Sequence, residues 1–163
     1  MYNNERGITI MKKTFLTIMA LFLFSLCALA NEKQEVLGIF EKYVSDANNY
    51  SANLPDYYVK DAKIIRVVNR RQGGQKAILI PYDRYVKELT AHAILAKTVG
   101  YKNRYENRKV SKVNGDYKVS ANRIPRNDKK GLPCYFVFTK TSSGWKIKEE
   151  SMTTNVQTFL SAK

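Results

Sequence analysis

Two side chains in this sequence have the chemistry of a general acid or base. His92 is the only histidine, and it lies one position away from the apolar face of a helical pattern. Glu149 falls, by the alternation of a β-strand, on the same side as Trp145 and Ile147. A lyase or isomerase needs such groups inside one pocket, so we take His92 and Glu149 as the candidate catalytic residues. The alternative for His92 is a partly buried structural histidine.

Tyrosines form a larger set of candidates, for binding rather than catalysis. Each tyrosine offers broad apolar contact and one hydroxyl group, which suits an aromatic or amphipathic ligand. Arg123 shares a strand face with Tyr117, and a guanidinium binds a carboxylate or phosphate in bidentate fashion. We predict a tyrosine-lined pocket with one cation at its mouth, built from Tyr43, Tyr85, Tyr101, Tyr105, Tyr117 and Arg123. The alternative for Arg123 is a structural ion pair with Glu149.

Cysteine and histidine content argues against metal and thiol chemistry. The sequence contains two cysteines and one histidine, and only Cys134 lies beyond residue 30, which excludes a histidine and cysteine zinc cluster there. Cys134 is followed by the apolar run 135–138, where a buried and unreactive thiol is expected. Gly73 and Gly74 precede no Gly-Lys-Ser/Thr sequence, so they indicate a turn rather than a phosphate loop. We expect no metal and no cofactor.

The first 30 residues have the pattern of an export signal. A positive start, an apolar run and a small-residue cleavage site follow one another at Lys12-Lys13, residues 14–26 and Ala28-Leu29-Ala30. We therefore predict a signal peptide over residues 1–30, with Met11 as the true start and a periplasmic or secreted mature chain from Asn31. A retained membrane anchor and a lipoprotein attached through Cys27 are the alternatives.

The chain is strongly basic. Lysine and arginine number 28 against 14 acidic residues, a net charge of +14. Such a surface attracts anions, including nucleic acid, acidic lipid head groups and glycans. The basic residues are spread along the chain, which favours a solvated cationic surface. Nucleic acid is not favoured as a partner of an exported protein, and membrane contact is expected only through the signal peptide before its cleavage.

Two helices and a hairpin are predicted before residue 100. Apolar residues recur every three or four positions over Glu32–Ala47 and again over Pro81–Lys97, which is the period of an amphipathic helix. Between them, β-branched residues in Asp61–Arg71 and the segment Gln75–Ile80 predict two strands joined at a glycine pair. Pro55 is well placed to begin a short helical turn.

The C-terminal third is predicted to form long antiparallel strands. Tyr101–Val113 ends at Asn114-Gly115, a pair that favours a tight hairpin because both positions tolerate positive φ. The next strands are expected over Tyr117–Ile124, Leu132–Lys140 and Trp145–Thr154. A curved sheet of this kind needs the upstream helices packed on its apolar face. The elements together predict one α+β domain over residues 31–163.

This order of elements resembles the nuclear transport factor 2-like superfamily, also called SnoaL-like or cystatin-like cones, as an exported bacterial member. The resemblance lies in Asp56–Ala62, Pro81–Tyr85 and Ser143–Ile147. It implies a strongly bent antiparallel meander wrapped around N-terminal helices, which leaves a conical pocket. Superfamily members include isomerases, dehydratases and pure binding modules, so the fold does not specify a reaction. The aspartate base of the isomerases has no match on the inward strand faces of this sequence.

We therefore predict an exported, non-catalytic domain that binds a small amphipathic or anionic ligand in a tyrosine-lined pocket, or binds a protein partner. The alternative is a small lyase or isomerase, related to the dehydratases, in which His92 or Glu149 transfers a proton. A homodimer formed through the sheet is a further expectation. A cavity that holds His92, Glu149 and tyrosines together would favour the enzyme.

Overall fold

The computed structural model describes residues 31–126 and 128–161. Residues Val36–Lys163 form one compact unit, and the described residues before it, 31–35, are helical. The first half of the chain contains helix α1 over residues 31–48, a 3₁₀ turn Leu54–Tyr57, strands β1 Tyr58–Asn69 and β2 Gln75–Ile80, and helix α2 Tyr82–Thr98. The second half contains strands β3 Asn103–Val113, β4 Asp116–Pro125, β5 Leu132–Thr141 and β6 Gly144–Thr154, followed by a 3₁₀ turn Gln157–Leu160.

The predicted signal peptide over residues 1–30 lies outside the described residues. Within residues 31–126 and 128–161, no helix has the length and apolar content needed to cross a membrane.

The predicted elements are confirmed, with small shifts at their ends. Strand β1 begins at Tyr58 instead of Asp61, and β3 begins at Asn103 instead of Tyr101. The hairpin between β3 and β4 turns at Asn114 and Gly115, which have φ values of 50° and 86°. Both residues therefore adopt the positive φ that the tight turn requires.

The six strands form one sheet in the order β2-β1-β6-β5-β4-β3. All neighbouring pairs are antiparallel except β1 and β6, which pair in parallel. The predicted α+β class and curled sheet are confirmed, and the sheet is mixed where the prediction expected only antiparallel pairs. The parallel pair places Ile64 of β1 opposite Glu150 of β6, so side chains far apart in sequence become neighbours.

The core lies between α1 and the inner face of the sheet. Val36, Phe40 and Tyr43 recur at helical spacing on α1, and all three are buried. The Phe40 ring lies 5.2 Å from that of Phe136 on β5 and 5.4 Å from that of Tyr105 on β3. These aromatic contacts join the helix to the sheet, because rings at such separations attract one another beyond the area they bury.

Candidate functional site

A cavity of about 640 Å³ lies beside this core. Its size falls within the roughly 300 to 1,000 Å³ typical of small-molecule sites. The walls come from α1 and the segment after it, from α2, from the inner face of the sheet and from the C-terminal 3₁₀ turn. The sheet and α2 therefore enclose a space that the core side chains leave unfilled.

One wall of the cavity is the inward face of α2. Leu89, Ala93 and Ala96 lie on that face and line the cavity, as the helical spacing predicted. They are only half-buried, and Tyr85 is the single fully buried residue of this helix. The apolar stripe of α2 therefore faces the cavity for much of its length.

The second feature of the cavity is a buried arginine. Arg123 lies on the inward face of β4 and is 8% exposed. Its Nη1 donates to the Tyr101 hydroxyl at 3.1 Å and to Asn103 Oδ1 at 3.0 Å, and its Nη2 donates to the Thr153 carbonyl at 3.3 Å. The Nε–H group is buried and has no acceptor among the described residues. All the oxygens that Arg123 contacts are neutral.

No carboxylate of the described residues forms an ion pair with Arg123. Two acidic residues, Glu88 and Asp128, also line the cavity. Glu88 pairs with Arg84 at 2.8 Å, and Asp128 is exposed. Burying an ionised group away from water is costly unless an opposite charge compensates it. The Arg123 charge is therefore available to an anion that enters the cavity.

A second buried arginine belongs to a closed network. Arg66 Nη1 lies 2.7 Å from Glu150 Oε1, an ion pair without good hydrogen-bond geometry. Glu150 is completely buried, and its Oε2 accepts hydrogen bonds from Tyr58 and, at 3.4 and 3.3 Å, from Tyr43 and Tyr85. The Arg66 guanidinium also lies 5.3 Å from the centre of the Tyr85 ring. The charges of Arg66 and Glu150 therefore compensate each other inside the protein.

Burial keeps the tyrosines of this network in their neutral form. It raises the pKa of Tyr43 and Tyr58 well above the usual value of 10.0, with nearby Glu150 adding to the effect. The same burial raises the pKa of Tyr85 to about 12. A neutral tyrosine hydroxyl donates a proton in a hydrogen bond, so these groups act as donors around the carboxylate.

Glu150 itself is not in the cavity wall. Tyr43, Tyr85 and Arg66 line the cavity, while Glu150 and Tyr58 lie behind them. A general base must come within hydrogen-bond reach of the proton that it removes. The position of Glu150 suits it to hold Arg66 and the tyrosines in place.

The structure brings most of the predicted site residues together. Six of the eight line the cavity: Tyr43, Tyr85, His92, Tyr101, Tyr105 and Arg123. Tyr117 does not line it, because its ring packs edge-on against Trp145 at 5.4 Å, six residues along β4 from Arg123. Glu149 does not line it either.

The predicted face of Glu149 is wrong, and the cause is a β-bulge. Val137 of β5 pairs with Glu149, but its neighbour Phe138 pairs with Ile147, which leaves Lys148 as an extra residue in β6. One inserted residue reverses the side to which every later side chain points. Glu149 therefore turns outward, where it accepts a hydrogen bond from Tyr135 at 2.7 Å, and Glu150 turns inward.

Arg66 and Glu150 were both missed by the sequence reasoning. Arg66 lies within the run Ile64-Ile65-Arg66-Val67-Val68, in which both faces of the strand are apolar and alternation gives no preference. A buried charge in such a run requires a partner of opposite charge. That requirement was the available signal, but it does not say which carboxylate is the partner.

His92 lies on the exposed side of the cavity wall. Its Nδ1 is 2.9 Å from the Glu88 carbonyl, one helical turn earlier, to which it can only donate. In the neutral ring this leaves Nε2 as a hydrogen-bond acceptor. Among residues 31–126 and 128–161, no cluster of three or more histidine, cysteine, aspartate or glutamate side chains could hold a metal ion.

Several solved structures have the same fold. An NTF2-like protein with a cystatin-like fold from Novosphingobium aromaticivorans is 12% identical, with a TM-score of 0.63 over 80% of this chain and 86% of that one. An NTF2-like protein of unknown function from Pseudomonas putida is 8% identical, with a TM-score of 0.61 over 76% and 87% of the two chains.

A third structure is a candidate scytalone dehydratase from Novosphingobium aromaticivorans, which is 16% identical, with a TM-score of 0.54 over 76% of this chain and 83% of that one. No protein-family model and no curated protein matches the sequence. At such identities the likeness establishes the fold alone. The chain has the NTF2-like, cystatin-like cone fold that the sequence resemblance implied.

Proposed function

Taking the NTF2-like fold as the premise, we propose that this protein is an exported, non-catalytic binding domain. Its ligand is a small amphipathic or aromatic molecule that carries an anionic group. The observation that supports this most directly is Arg123, a guanidinium that lines the cavity, is 8% exposed and contacts only neutral oxygens.

The apolar walls of the cavity would contact the body of the ligand. The α2 wall is formed by Leu89, Ala93 and Ala96, and tyrosine rings contribute further apolar surface. An apolar ligand body would bury its surface against these side chains, and each buried CH₂ group contributes about 0.8 kcal/mol. A carboxylate, sulfonate or phosphate on the same molecule would then neutralise Arg123 through charge-assisted hydrogen bonds.

Arg66 is not the anion site in this proposal. It also lines the cavity, but Glu150 already neutralises it at 2.7 Å. A second anion beside Arg66 would lie close to the Glu150 carboxylate, and like charges repel strongly where water is excluded. We expect Arg66 and its tyrosines to form a polar but neutral part of the wall.

Export is part of the proposal and rests on the sequence. Lys12-Lys13, the apolar run and the Ala28-Leu29-Ala30 site together support cleavage after residue 30. Native mass spectrometry of the protein recovered from an exported fraction gives the polypeptide mass and the mass of any bound ligand. A polypeptide beginning at Asn31 is expected, and retention of residues 14–30 would contradict export.

The binding proposal is tested with two fluorescent probes that differ by one charge. Anilinonaphthalene sulfonate carries an anionic group on an aromatic body, and N-phenylnaphthylamine has the same body without the charge. We expect Arg123→Met to weaken sulfonate binding by about 1.5 to 3 kcal/mol, the range for hydrogen bonds to charged groups, which is roughly tenfold to a hundredfold in Kd. Binding of the neutral probe should change little. Fluorescence titration measures both.

The matched control is Lys118→Met, which removes a positive charge from the outward face of the same strand. This variant should bind both probes as the wild type does. Arg123→Lys keeps the charge and should retain part of the sulfonate affinity. If Arg123→Met and Lys118→Met weaken the sulfonate equally, or if Arg123→Met unfolds the protein and Arg123→Lys does not restore binding, the anion site is not at Arg123.

The enzyme alternative has one supporting observation, the position of His92 in the cavity wall with Nε2 as a free acceptor in the neutral ring. Its intended partner Glu149 lies outside the cavity. General acid–base catalysis contributes typically 10²- to 10⁴-fold to a rate. If a co-purified ligand is converted by the wild type and His92→Gln lowers that rate a hundredfold, the lyase or isomerase function replaces the binding function.

A further inference from the structure

The outer side of α2 and the corner after it carry an exposed apolar patch. Seven large hydrophobic residues of the described chain are exposed, and four of them lie between residues 94 and 101. They are Ile94 at 78%, Leu95 at 61%, Val99 at 56% and Tyr101 at 40% exposure. Scattered apolar residues are normal on a surface, but a concentration of them marks an interaction site.

The position of the patch follows from the helix geometry. Ala93 and Ala96 face the cavity, and at 100° per residue Ile94 and Leu95 point away from that face. The corner after the helix is held in place, because Arg126 Nη1 donates to the carbonyls of Val99 and Gly100 at 2.7 Å each. The patch is thus a fixed part of the surface.

The same stretch is basic. Between Glu88 and Glu106 the sequence has no acidic residue, and it carries Lys97, Lys102 and Arg104, all of them exposed. Arg104 alternates with Asn103 and Tyr105, which line the cavity, so it lies on the outward face of β3 beside Glu106. We call Lys97 and Lys102, together with Ile94, Leu95 and Val99, the α2 patch. Exposed aliphatic side chains together with lysines are the composition of a surface that binds anionic membranes.

We propose that the α2 patch docks the folded domain onto an anionic lipid surface. The aliphatic side chains enter the region between head groups and acyl chains, and the basic side chains contact the lipid phosphates. This contact is additional to the signal peptide, the only membrane contact that the sequence predicts. It places one wall of the cavity, α2, against the lipid.

A second copy of the chain fits the patch less well. A stable protein interface buries about 800 Å² on each partner, and three aliphatic side chains are a small part of that area. A symmetric contact would also bring Lys97 and Lys102 of two copies together, and opposing like charges repel. A membrane surface supplies the opposite charge and needs no matching shape.

The test is flotation with vesicles of phosphatidylcholine alone or with 30% phosphatidylglycerol. Every variant keeps the same N-terminus as the wild type, so differences between them report on the patch. We expect wild-type protein to float with the anionic vesicles and to be released at high salt. Ile94→Ser with Leu95→Ser should weaken binding roughly tenfold or more, since two inserted aliphatic groups are lost. Lys97→Gln and Lys102→Gln should each weaken it about fivefold.

Two measurements serve as controls. Val113→Ser removes an exposed apolar residue at the far end of β3, about 30 Å along the strand from Asn103, and should bind vesicles normally. The Ile94→Ser/Leu95→Ser variant, whose changed side chains do not line the cavity, should bind the sulfonate probe as the wild type does, which separates this proposal from the anion site. Equal binding to neutral vesicles, an unchanged Ile94→Ser/Leu95→Ser double variant, or an equal loss for Val113→Ser would overturn it. So would a wild-type dimer that this double variant converts to a monomer and that binds no vesicles.

Discussion

Two arginines, Arg66 on β1 and Arg123 on β4, are buried to the same extent in the same sheet, with exposures of 9% and 8%. Both line the cavity. Arg66 has a completely buried carboxylate, Glu150, as its partner. Arg123 has two side-chain oxygens and one carbonyl, all of them neutral. Burial is therefore the same at the two sites, and the difference is in what compensates the charge.

This difference separates a charge that the fold compensates from a charge that the described residues leave without a counter-charge. The cost of removing a charge from water must be offset by a partner. At Arg66 the fold supplies that partner, so the interaction stabilises the folded protein. At Arg123 the described residues supply no counter-charge, and under the proposed function the anionic group of the ligand supplies it. The same residue type in one sheet therefore has two different electrostatic environments.

The largest expected effect is at the ion pair of Arg66 with Glu150. Glu150→Gln keeps the shape of the side chain but leaves Arg66 without its counter-charge and removes the anionic acceptor of three tyrosine hydroxyls. Removing one partner of a buried ion pair typically costs about 3 to 5 kcal/mol. We expect a loss of that size in the free energy of unfolding, measured by urea denaturation.

The adjacent residue provides the control for this substitution. Glu149 is the same residue type one position earlier, but it points outward and contacts Tyr135. Glu149→Gln should cost less than about 1 kcal/mol, as is usual for a partly exposed hydrogen bond. Equal losses for the two variants would mean that the Arg66 network does not stabilise the fold.

The contrast between Glu149 and Glu150 also shows where sequence reasoning stops. The turn at Asn114-Gly115 and helix α1 depend on residues that are close together in sequence, and both were predicted correctly. In β4, which pairs with β5 without a bulge, alternation placed Arg123 on the correct face. In β6 the bulge at Lys148 is a property of the pairing with β5. Nothing in the residue types near Lys148 indicates it, so the predicted side of every later residue was reversed.

The second prediction uses the tyrosines that contact Glu150. Burial raises the pKa of Tyr85 from 10.0 to about 12, so the folded protein holds this proton more tightly than the unfolded chain does. The contribution of this pKa difference to the free energy of unfolding is complete below pH 10 and is lost as the pH rises towards 12. A difference of two pKa units corresponds to roughly 2 to 3 kcal/mol. Urea denaturation at successive pH values from 9 upward should show that loss of stability.

Lysines also lose their charge in this pH range, so the tyrosine contribution needs a separate measurement. Tyr85→Phe cannot ionise, and its stability should fall less steeply between pH 10 and pH 12 than that of the wild type. Tyrosinate absorbance provides a second readout, because the buried rings should ionise only as the protein unfolds. Identical slopes for the wild type and Tyr85→Phe would show that Tyr85 titrates in the folded state as it does in the unfolded chain.

The candidate site was predictable to the extent that each residue lies on a regular element. Tyr85 follows from the helical face of α2, and Tyr105 and Arg123 follow from strand alternation. Tyr117 has the correct face but the wrong position along the strand, because alternation does not say where a cavity ends. The pairing of Arg66 with Glu150 depends on β1 lying parallel to β6, a contact between distant segments that no local pattern encodes.

The smallest expected effect is at Arg123, which Tyr101 holds in position. The Tyr101 hydroxyl accepts a hydrogen bond from Nη1 at 3.1 Å and donates one to Asn103 Oδ1 at 3.2 Å. Tyr101→Phe keeps the ring in the cavity wall and removes only these two bonds. We expect sulfonate binding to weaken by about 0.5 to 1.5 kcal/mol, the net contribution of an ordinary hydrogen bond. Fluorescence titration would record this as a change of roughly twofold to tenfold in Kd.

Tyr117→Phe is the matched control, since it removes the same hydroxyl group from a tyrosine of the same sheet that packs on Trp145 outside the cavity. It should leave sulfonate affinity unchanged. An equal loss in both variants would mean that tyrosine hydroxyls act on binding through overall stability. A tighter complex for Tyr101→Phe would be informative too, because it would show that the hydroxyl competes with the anion for Nη1. Only a weaker complex for Tyr101→Phe alone fits a hydroxyl that holds the guanidinium ready for an incoming anion.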